Sequence, residues 1–249
     1  MGVRYSGLGT QRLEAEVRAR FPDYPTLRMD TDTMRAPGSH EKALAAFRDG
    51  EVKILLGTQM IAKGLDFPNV TLVGVVNADT ALHLPDFRAA ERTFQLLVQV
   101  AGRTGRGPKG GRVLVQTFSP DHAAIKAAAR HDYHTFAAEE LPLRAALGYP
   151  PHGQMARLVV RSAKEPLARE FAEYLAGRLS DSLARRGAAA RVLGPAPAPF
   201  AKLRGRHRFQ LQLQGAADVI HATLVEALAD LKTPEEVQCI VDVDPLDMR

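Results

Sequence analysis

The runs VKILLG (Val52–Gly57), VTLVGVV (Val70–Val76) and GRVLVQTF (Gly111–Phe118) are short, apolar and separated by helical patterns. That alternation constrains the fold more than any other feature. Residues that are apolar in succession, rather than at every second position, belong to strands buried on both faces. Buried strands alternating with helices predict an α/β layer, a sheet with helices outside. Leu27–Asp30 is a further short strand. Thr10 is placed to cap a helix over Gln11–Arg20, with Leu13, Val17 and Phe21 at helical spacing. Ser39 is placed to cap a second helix, whose Ala43, Leu44 and Phe47 share a face and which Gly50 stops. Pro85–Gly102 is a long helical segment, and Asp121–Leu147 reads as two helices.

After YPPHGQ (Tyr149–Gln154) the pattern restarts. MARLVVRS is a strand. Glu165–Arg186 is a helix with Leu167, Phe171, Leu175, Leu179 and Leu183 on one face. Ala190–Leu193 is a short strand, and GPAPAPF a rigid extended loop. HRFQLQLQ (His207–Gln214) alternates with period two, Val219–Leu231 is helical, and Val237–Asp244 is a strand. The order β-α-β-β-α-β is the ferredoxin-like split βαβ arrangement. Two domains are therefore expected, 1–150 and 151–249, the second of α+β class.

Composition narrows the function. Lys+Arg total 33 against 28 Asp+Glu, a net charge of +5 that favours an anionic partner. Of the basic residues 25 are Arg and 8 Lys, and Arg suits bidentate phosphate contacts. The single Cys239 excludes an internal disulfide framework and a Cys-rich zinc site within these residues. No stretch has the length and apolarity of a membrane span, and no signal-peptide core follows Met1. A cytoplasmic protein with no membrane partner is expected.

Two segments of the first domain could carry chemistry. Gly57-Thr58-Gln59-Met60-Ile61-Ala62-Lys63-Gly64-Leu65-Asp66 follows the C-terminal end of a strand, where open α/β sheets place ligands. Thr58 and Gln59 can donate to phosphate, Lys63 adds charge, Gly64 permits close backbone approach, and Asp66 can hold a water, an arginine or a ribose hydroxyl. Gln99-Val100-Ala101-Gly102-Arg103-Thr104-Gly105-Arg106 ends the long helix. Arg103 and Arg106 are three apart and can face one way, which suits the charge on a transferring phosphoryl group; Gln99 lies one turn earlier. In the second domain Lys202, Arg204, Arg206 and Arg208 cluster near Phe200 and Phe209. Basic groups beside aromatics can bind single-stranded nucleic acid through phosphates and stacking.

No GxxxxGK[ST] phosphate loop, nucleophile elbow or metal-ligand spacing occurs in the sequence. These 249 residues can thus present a phosphate-sensing face without the usual nucleotide cradle.

These motifs resemble those of a known family, the primosomal replication-restart DNA helicases (primosomal protein N′) of superfamily 2. ILLGTQMIAKGLDFPNVTLVGVVNAD (Ile54–Asp79) is similar to the family's motif V region, and PDFRAAERTFQLLVQVAGRTGR (Pro85–Arg106) to the segment ending in motif VI. GPAPAPFAKLRGRHRFQLQL and VDVDP resemble blocks of the family's C-terminal domain. GLGTQRLEAEV resembles the segment just after its zinc-binding cysteines. Thr104 stands where motif VI often has Ala, and Gln11 where the family commonly has Glu.

The resemblance implies a second RecA-like lobe over residues 1–150, with a P-loop NTPase fold but no phosphate loop of its own, then the family's C-terminal domain. It implies that Arg103, Arg106 and Gln99 meet the γ-phosphate of ATP, and that Gly64 and Asp66 belong to motif V. Thr58, Gln59 and Lys63 would lie towards DNA, as would Lys202, Arg204, Arg206 and Arg208. ATP and Mg²⁺ are expected to act in the complete protein, with none tightly bound to this chain alone. A zinc site is expected upstream of residue 1. Implied partners are forked or single-stranded DNA, the single-stranded DNA-binding protein and primosome proteins, in the bacterial cytoplasm at the nucleoid. The first lobe is not among these residues, so the chain alone is expected to be inactive as an ATPase. Two other readings stand beside this one. One is a non-catalytic module that binds DNA or docks the single-stranded DNA-binding protein. The other is a stand-alone α/β enzyme, against which the lack of a complete catalytic constellation argues.

Overall fold

A computed structural model describes residues 9–30, 33–34, 36–58, 69–104 and 110–248. The chain divides into two compact units, one of residues 1–84 and 88–133, the other of residues 85–87 and 134–249.

In the first unit β1 (Thr26–Met29) and β2 (Ile54–Gly57) pair in parallel, Thr26 opposite Ile54 and Met29 opposite Gly57. β3 (Leu72–Val75) and β4 (Arg112–Val115) also pair in parallel, Leu72 opposite Arg112. Parallel neighbours need a crossover, and helices supply it. α2 (Ser39–Arg48) connects β1 to β2, and α4 (Ala89–Ala101) lies between β3 and β4 in the chain. Met29, Ala43 and Leu44 form a buried cluster backed by Leu27, Phe47, Leu55 and Val70, so α2 turns its predicted apolar face to the strands. Phe94 and Leu97 of α4 are buried, as are Ala124, Ile125, Ala127 and Ala128 of α5 (Ala123–Ala129), and the two helices pack together.

Both expected caps are displaced. Gly9 and Gly38 hold the N-cap positions, and neither makes a side-chain cap bond. Gly38 does so with φ +76°, a left-handed backbone that glycine adopts without steric cost. Thr10 opens α1 (Thr10–Arg20), and its hydroxyl donates to the Asp30 carboxylate at 2.8 Å. A charged acceptor outbids the neutral backbone alternative. Ser39 donates instead to the Ala36 carbonyl at 2.7 Å. A one-turn helix, α3 (Asp79–Leu82), follows β3 and has no counterpart in the sequence expectations.

The second unit contains α6 (Tyr133–Leu147), then β5 (Gln154–Ser162), α7 (Glu165–Arg186), β6 (Arg191–Leu203), β7 (Arg206–Gly215), α8 (Ala217–Leu228) and β8 (Val237–Val243). The four strands form one antiparallel sheet in the order β6-β7-β5-β8. Ala156, Leu158 and Val160 of β5 and Phe209, Leu211 and Leu213 of β7 share one face, which α7 and α8 cover. Phe171, Leu175, Leu179 and Leu183 supply α7's side of this core. Cys239 packs against it, and burial pushes its thiol pKa up.

The expected loop GPAPAPF is part of a strand: β6 runs for 13 residues, with register shifts between Leu193 and Ala196 and between Pro197 and Lys202. Proline lacks an N–H for the ladder, and β6 lies at the sheet edge, where that loss is tolerated.

Residues 85–87 join this unit through side chains. The Phe87 and Tyr149 rings stack 4.8 Å apart, and the Arg144 guanidinium lies over Phe87 at 5.3 Å. Asp86 accepts a hydrogen bond from the Met248 N–H at 3.3 Å.

Candidate functional site

The first candidate segment begins where β2 ends. Thr58, one residue past the C-terminal end of a parallel strand, is exposed. Gln59, Lys63, Gly64 and Asp66 lie outside the described residues, as does Arg106.

The end of α4 is described as far as Thr104. Gln99 is half-buried in the last turn of the helix, and half-buried Arg103 follows one turn later. The chain holds helical hydrogen bonding past Ala101: the Gly102 N–H donates to the Val98 carbonyl at 3.0 Å, and the Arg103 N–H to Val100 at 3.0 Å. Gly102 sits at φ −68°, so it needs no left-handed freedom here. Gln99 and Arg103, four residues apart, therefore share a side of the helix end. The Thr104 hydroxyl donates to the Val70 carbonyl at 2.9 Å, tying the arginine-bearing turn to the residues entering β3. An amide and a guanidinium held on successive turns offer donors and positive charge to an anionic group.

The basic hairpin of the second unit divides differently from its sequence. Leu203 pairs with Arg206, and Arg204 and Gly205 form the turn at φ +50° and +77°. Two left-handed residues suit a tight hairpin, but Asn, Asp or Gly usually supply the first. Arg204 stands exposed at the tip. Lys202 pairs with His207, so its side chain lies on His207's side of the ribbon; the His207 Nδ1 is 3.4 Å from Glu165. Arg206 and Arg208 point the opposite way by strand alternation. Arg208 is 9% exposed and donates to the Phe200 carbonyl at 3.4 Å. Phe209 is a core residue under Arg169, and Phe200 is exposed.

The register adds two residues that the linear reading missed. Arg161 lies directly opposite Arg208, and Arg157, four residues earlier on β5, points to the same face. Burial, then the nearby Arg157 and Arg161, lower the pKa of Arg208. The Arg157 guanidinium is 3.6 Å from Asp242 of β8. The signal for them was the two-residue period of MARLVVRS, which places Arg157 and Arg161 opposite Leu158 and Val160.

Among the described residues no helix is long and apolar enough to cross a membrane. Nor does any group of three or more His, Cys, Asp or Glu among them form a metal-binding cluster.

A parallel α/β unit with glutamine and arginine at a helix end, joined to an antiparallel sheet under two helices, matches two described families. The helicase conserved C-terminal domain covers residues 9–108, and the primosomal protein N C-terminal domain covers residues 145–246. The class is therefore a helicase-type lobe followed by a primosomal-type domain. The chain is 44% identical to replication restart protein PriA of Bacillus subtilis over 250 residues, 99% of this chain and 31% of that protein. It is 42% identical to PriA of Treponema pallidum (99% and 37%) and 39% identical to PriA of Synechocystis (99% and 29%). The chain belongs to the PriA family, with the domain content of its C-terminal part. It spans about a third of the length of these relatives.

Proposed function

We propose that this chain is the C-terminal portion of an ATP-dependent 3′-to-5′ DNA helicase that acts in replication restart at stalled forks. Residues 1–150 would form its second RecA-like lobe and residues 151–249 a ferredoxin-like C-terminal domain, an assignment supported by the strand order β6-β7-β5-β8. The observation that carries the reading is the end of α4, where Gln99 and Arg103 sit on successive turns and Thr104 fixes the loop to Val70. Arg103, with Arg106 and Gln99, would stabilise charge on the γ-phosphate as ATP is cleaved. Gly64 and Asp66 would link nucleotide state to DNA contact, with Thr58, Gln59 and Lys63 on the DNA side. ATP carries Mg²⁺ in such reactions; the described residues here supply donors and positive charge, which suit the phosphates rather than the metal. Forked or single-stranded DNA, the single-stranded DNA-binding protein and primosome proteins would be the partners, in the bacterial cytoplasm at the nucleoid.

The test is a chimera in which this chain replaces the matching third of the Bacillus subtilis relative. The chimera should hydrolyse ATP in the presence of DNA, the chain alone should not, and Arg103→Ala should lower turnover about 10³-fold or more. Turnover by the chain alone that Arg103→Ala abolishes would overturn the reading, as would a chimera indifferent to that substitution.

A second reading is favoured by the exposed basic hairpin: the chain works without catalysis, as a module that binds DNA or docks the single-stranded DNA-binding protein. Titration with forked DNA and with that protein's acidic tail separates the two partners. Binding to neither at low salt ends this reading.

A further inference from the structure

Residues 85–87 belong to the second unit, although the chain on both sides of them belongs to the first. Within the second unit this strip is held at two points. The buried Asp86 carboxylate accepts the Met248 N–H at 3.3 Å. The Phe87 ring lies nearly parallel to Tyr149, with 6° between planes and 4.8 Å between centroids, and the Arg144 guanidinium stands 5.3 Å from the Phe87 centroid. Arg144 is itself fixed by Glu140 at 2.9 Å. One residue after Phe87 the hydrogen-bond ladder of α4 begins: the Arg92 N–H donates to the Arg88 carbonyl at 2.8 Å. Bonding of helical type continues as far as the Arg103 N–H. No glycine or proline occurs from Arg88 to Ala101, and Gly102 keeps a right-handed backbone, so the usual causes of a kink are missing. The helix also starts without a side-chain cap bond, so its first turn lacks that local device against fraying.

We propose that Phe87 is a positioning residue: its stack with Tyr149 and Arg144 anchors the start of α4 and so sets where Gln99 and Arg103 stand towards phosphate. This deepens the ATP-site reading of α4 and rests on it. At 1.5 Å per residue, the 13 residues of α4 make a rod about 20 Å long. A tilt of about 10° at the anchored start of such a rod moves its far end by about 3.5 Å. A displacement of about 1 Å at a reacting group can cost about 10²-fold in rate, so the anchor matters well beyond its own contacts. Its chemistry suits the task. Aromatic pairs prefer particular ring geometries, a constraint that an aliphatic contact lacks. The guanidinium adds attraction to the ring, and Asp86 fixes the adjacent backbone. Whatever disturbs Tyr149 or Arg144 in the second unit therefore reaches the arginine-bearing turn through the helix.

Phe87→Leu, which keeps an apolar side chain, and Phe87→Tyr, which keeps the ring, test the proposal in two assays. Hydrogen exchange on the full 249-residue chain reads the anchor without nucleotide. Phe87→Leu should speed exchange of the Arg92 and Thr93 amides about tenfold or more, with β5 and β7 amides unchanged. Phe87→Tyr should stay close to the parent. ATP turnover per folded molecule, in the chimera with the Bacillus subtilis relative, reads the consequence. Phe87→Leu should lower kcat about 10- to 100-fold and leave KM for ATP nearly unchanged, because the helix end acts on the transferring phosphoryl group. Phe87→Tyr should restore most of kcat. A purely structural role would lower Tm and the folded fraction but leave kcat per folded molecule at the parent value. If Phe87→Leu does not fold, Tyr149→Leu removes the stack from its other side and carries both assays. Unchanged kcat for the leucine variant, in a chimera that still needs Arg103, would overturn the proposal and leave the ATP-site reading standing. Unchanged exchange at Arg92 and Thr93 would overturn it whatever kcat does. A chimera indifferent to Arg103→Ala would remove both the proposal and the reading beneath it.

Discussion

The carboxylate of Asp79, at the start of α3, accepts the backbone N–H of Phe118 at 2.9 Å, and its other oxygen accepts the Thr117 hydroxyl at 2.9 Å. One side chain after β3 thus holds the chain that leaves β4, so the two parallel strands are fastened beyond their ladder.

That contact has a pH signature. Burial raises the pKa of Asp79, but the Phe118 N–H and the Thr117 hydroxyl outweigh it, and the net direction is down. A carboxylate with a folded pKa below its unfolded value adds stability above the unfolded pKa. It loses that stability as pH falls through the folded one. Asp79→Ala should cost about 1–2 kcal/mol at pH 7, the lower part of the range for hydrogen bonds to charged groups at a site that water can partly screen. Urea denaturation at pH 7 and at pH 3 checks this. The gap between parent and variant should narrow at the lower pH, and a gap of constant size would show that the charge plays no part.

The period of the sequence carried most of this fold. Successive apolar residues in VKILLG and VTLVGVV led to the parallel pairs, but not to burial on both faces: β3 and β4 alternate exposed and half-buried positions, with Leu72 and Leu114 exposed, while the alternation in HRFQLQLQ separated Phe209, Leu211 and Leu213 from the polar face. Less was legible where tertiary partners decide. Thr10 satisfies the local pattern of a cap, but Asp30, twenty residues away, takes its hydroxyl. The prolines of GPAPAPF read as loop because sequence does not reveal which strand lies at an edge. At the candidate sites, Gln99 and Arg103 could be placed on one helix end from spacing alone. The opposition of Arg161 and Arg208 could not, because it depends on the register of strands 47 residues apart in the chain.

The core beneath that sheet predicts a sharp contrast between neighbours. Leu211 is fully buried between the strands and the helices, whereas Gln212 points to the opposite face. Leu211→Ala should cost about 2–5 kcal/mol, since it removes transfer energy and leaves a cavity. Gln212→Ala should cost less, about 1 kcal/mol, because it removes only the acceptor of the buried Gln214 amide at 3.3 Å. Similar losses at both positions, measured by chemical denaturation, would mean that Gln212 carries as much of the fold as a core leucine.

Two glycines should respond to alanine with opposite signs. Gly177 lies on the exposed side of α7, with nothing within 4 Å of where a Cβ would sit. Gly177→Ala should stabilise by about 0.5–1 kcal/mol, the helix-propensity difference. Gly194 has φ +99°, and a Cβ there would lie 2.7 Å from the Gln210 carbonyl oxygen on the neighbouring strand. Gly194→Ala should destabilise by about 1–3 kcal/mol, because backbone must move in the ladder to admit the methyl group. Melting curves of the two variants should bracket the parent, and an unchanged Tm for Gly194→Ala would show that β6 yields freely at its bulge.

Arg144 is where charge, ring stacking and backbone meet in the second unit. Its Nε is 2.9 Å from Glu140, with both side chains largely buried at 10% and 16% exposure. Its guanidinium covers Phe87, which stacks on Tyr149, and its Nη1 donates to the Pro150 carbonyl at 3.4 Å. Removing one partner of a buried pair strands the other charge, so Arg144→Ala should cost about 3 kcal/mol. Arg144→Lys keeps the charge but loses the planar group that lies on the ring and reaches Glu140 and Pro150 together, so it should recover only part of that loss. Arg144→Ala combined with Glu140→Ala should cost less than Arg144→Ala alone, because no stranded carboxylate remains. A double-mutant cycle by urea denaturation reads this coupling directly. Strict additivity of the two substitutions would show that the pair contributes nothing and that the contacts of Arg144 beyond Glu140, with Phe87 and the Pro150 carbonyl among them, account for its role.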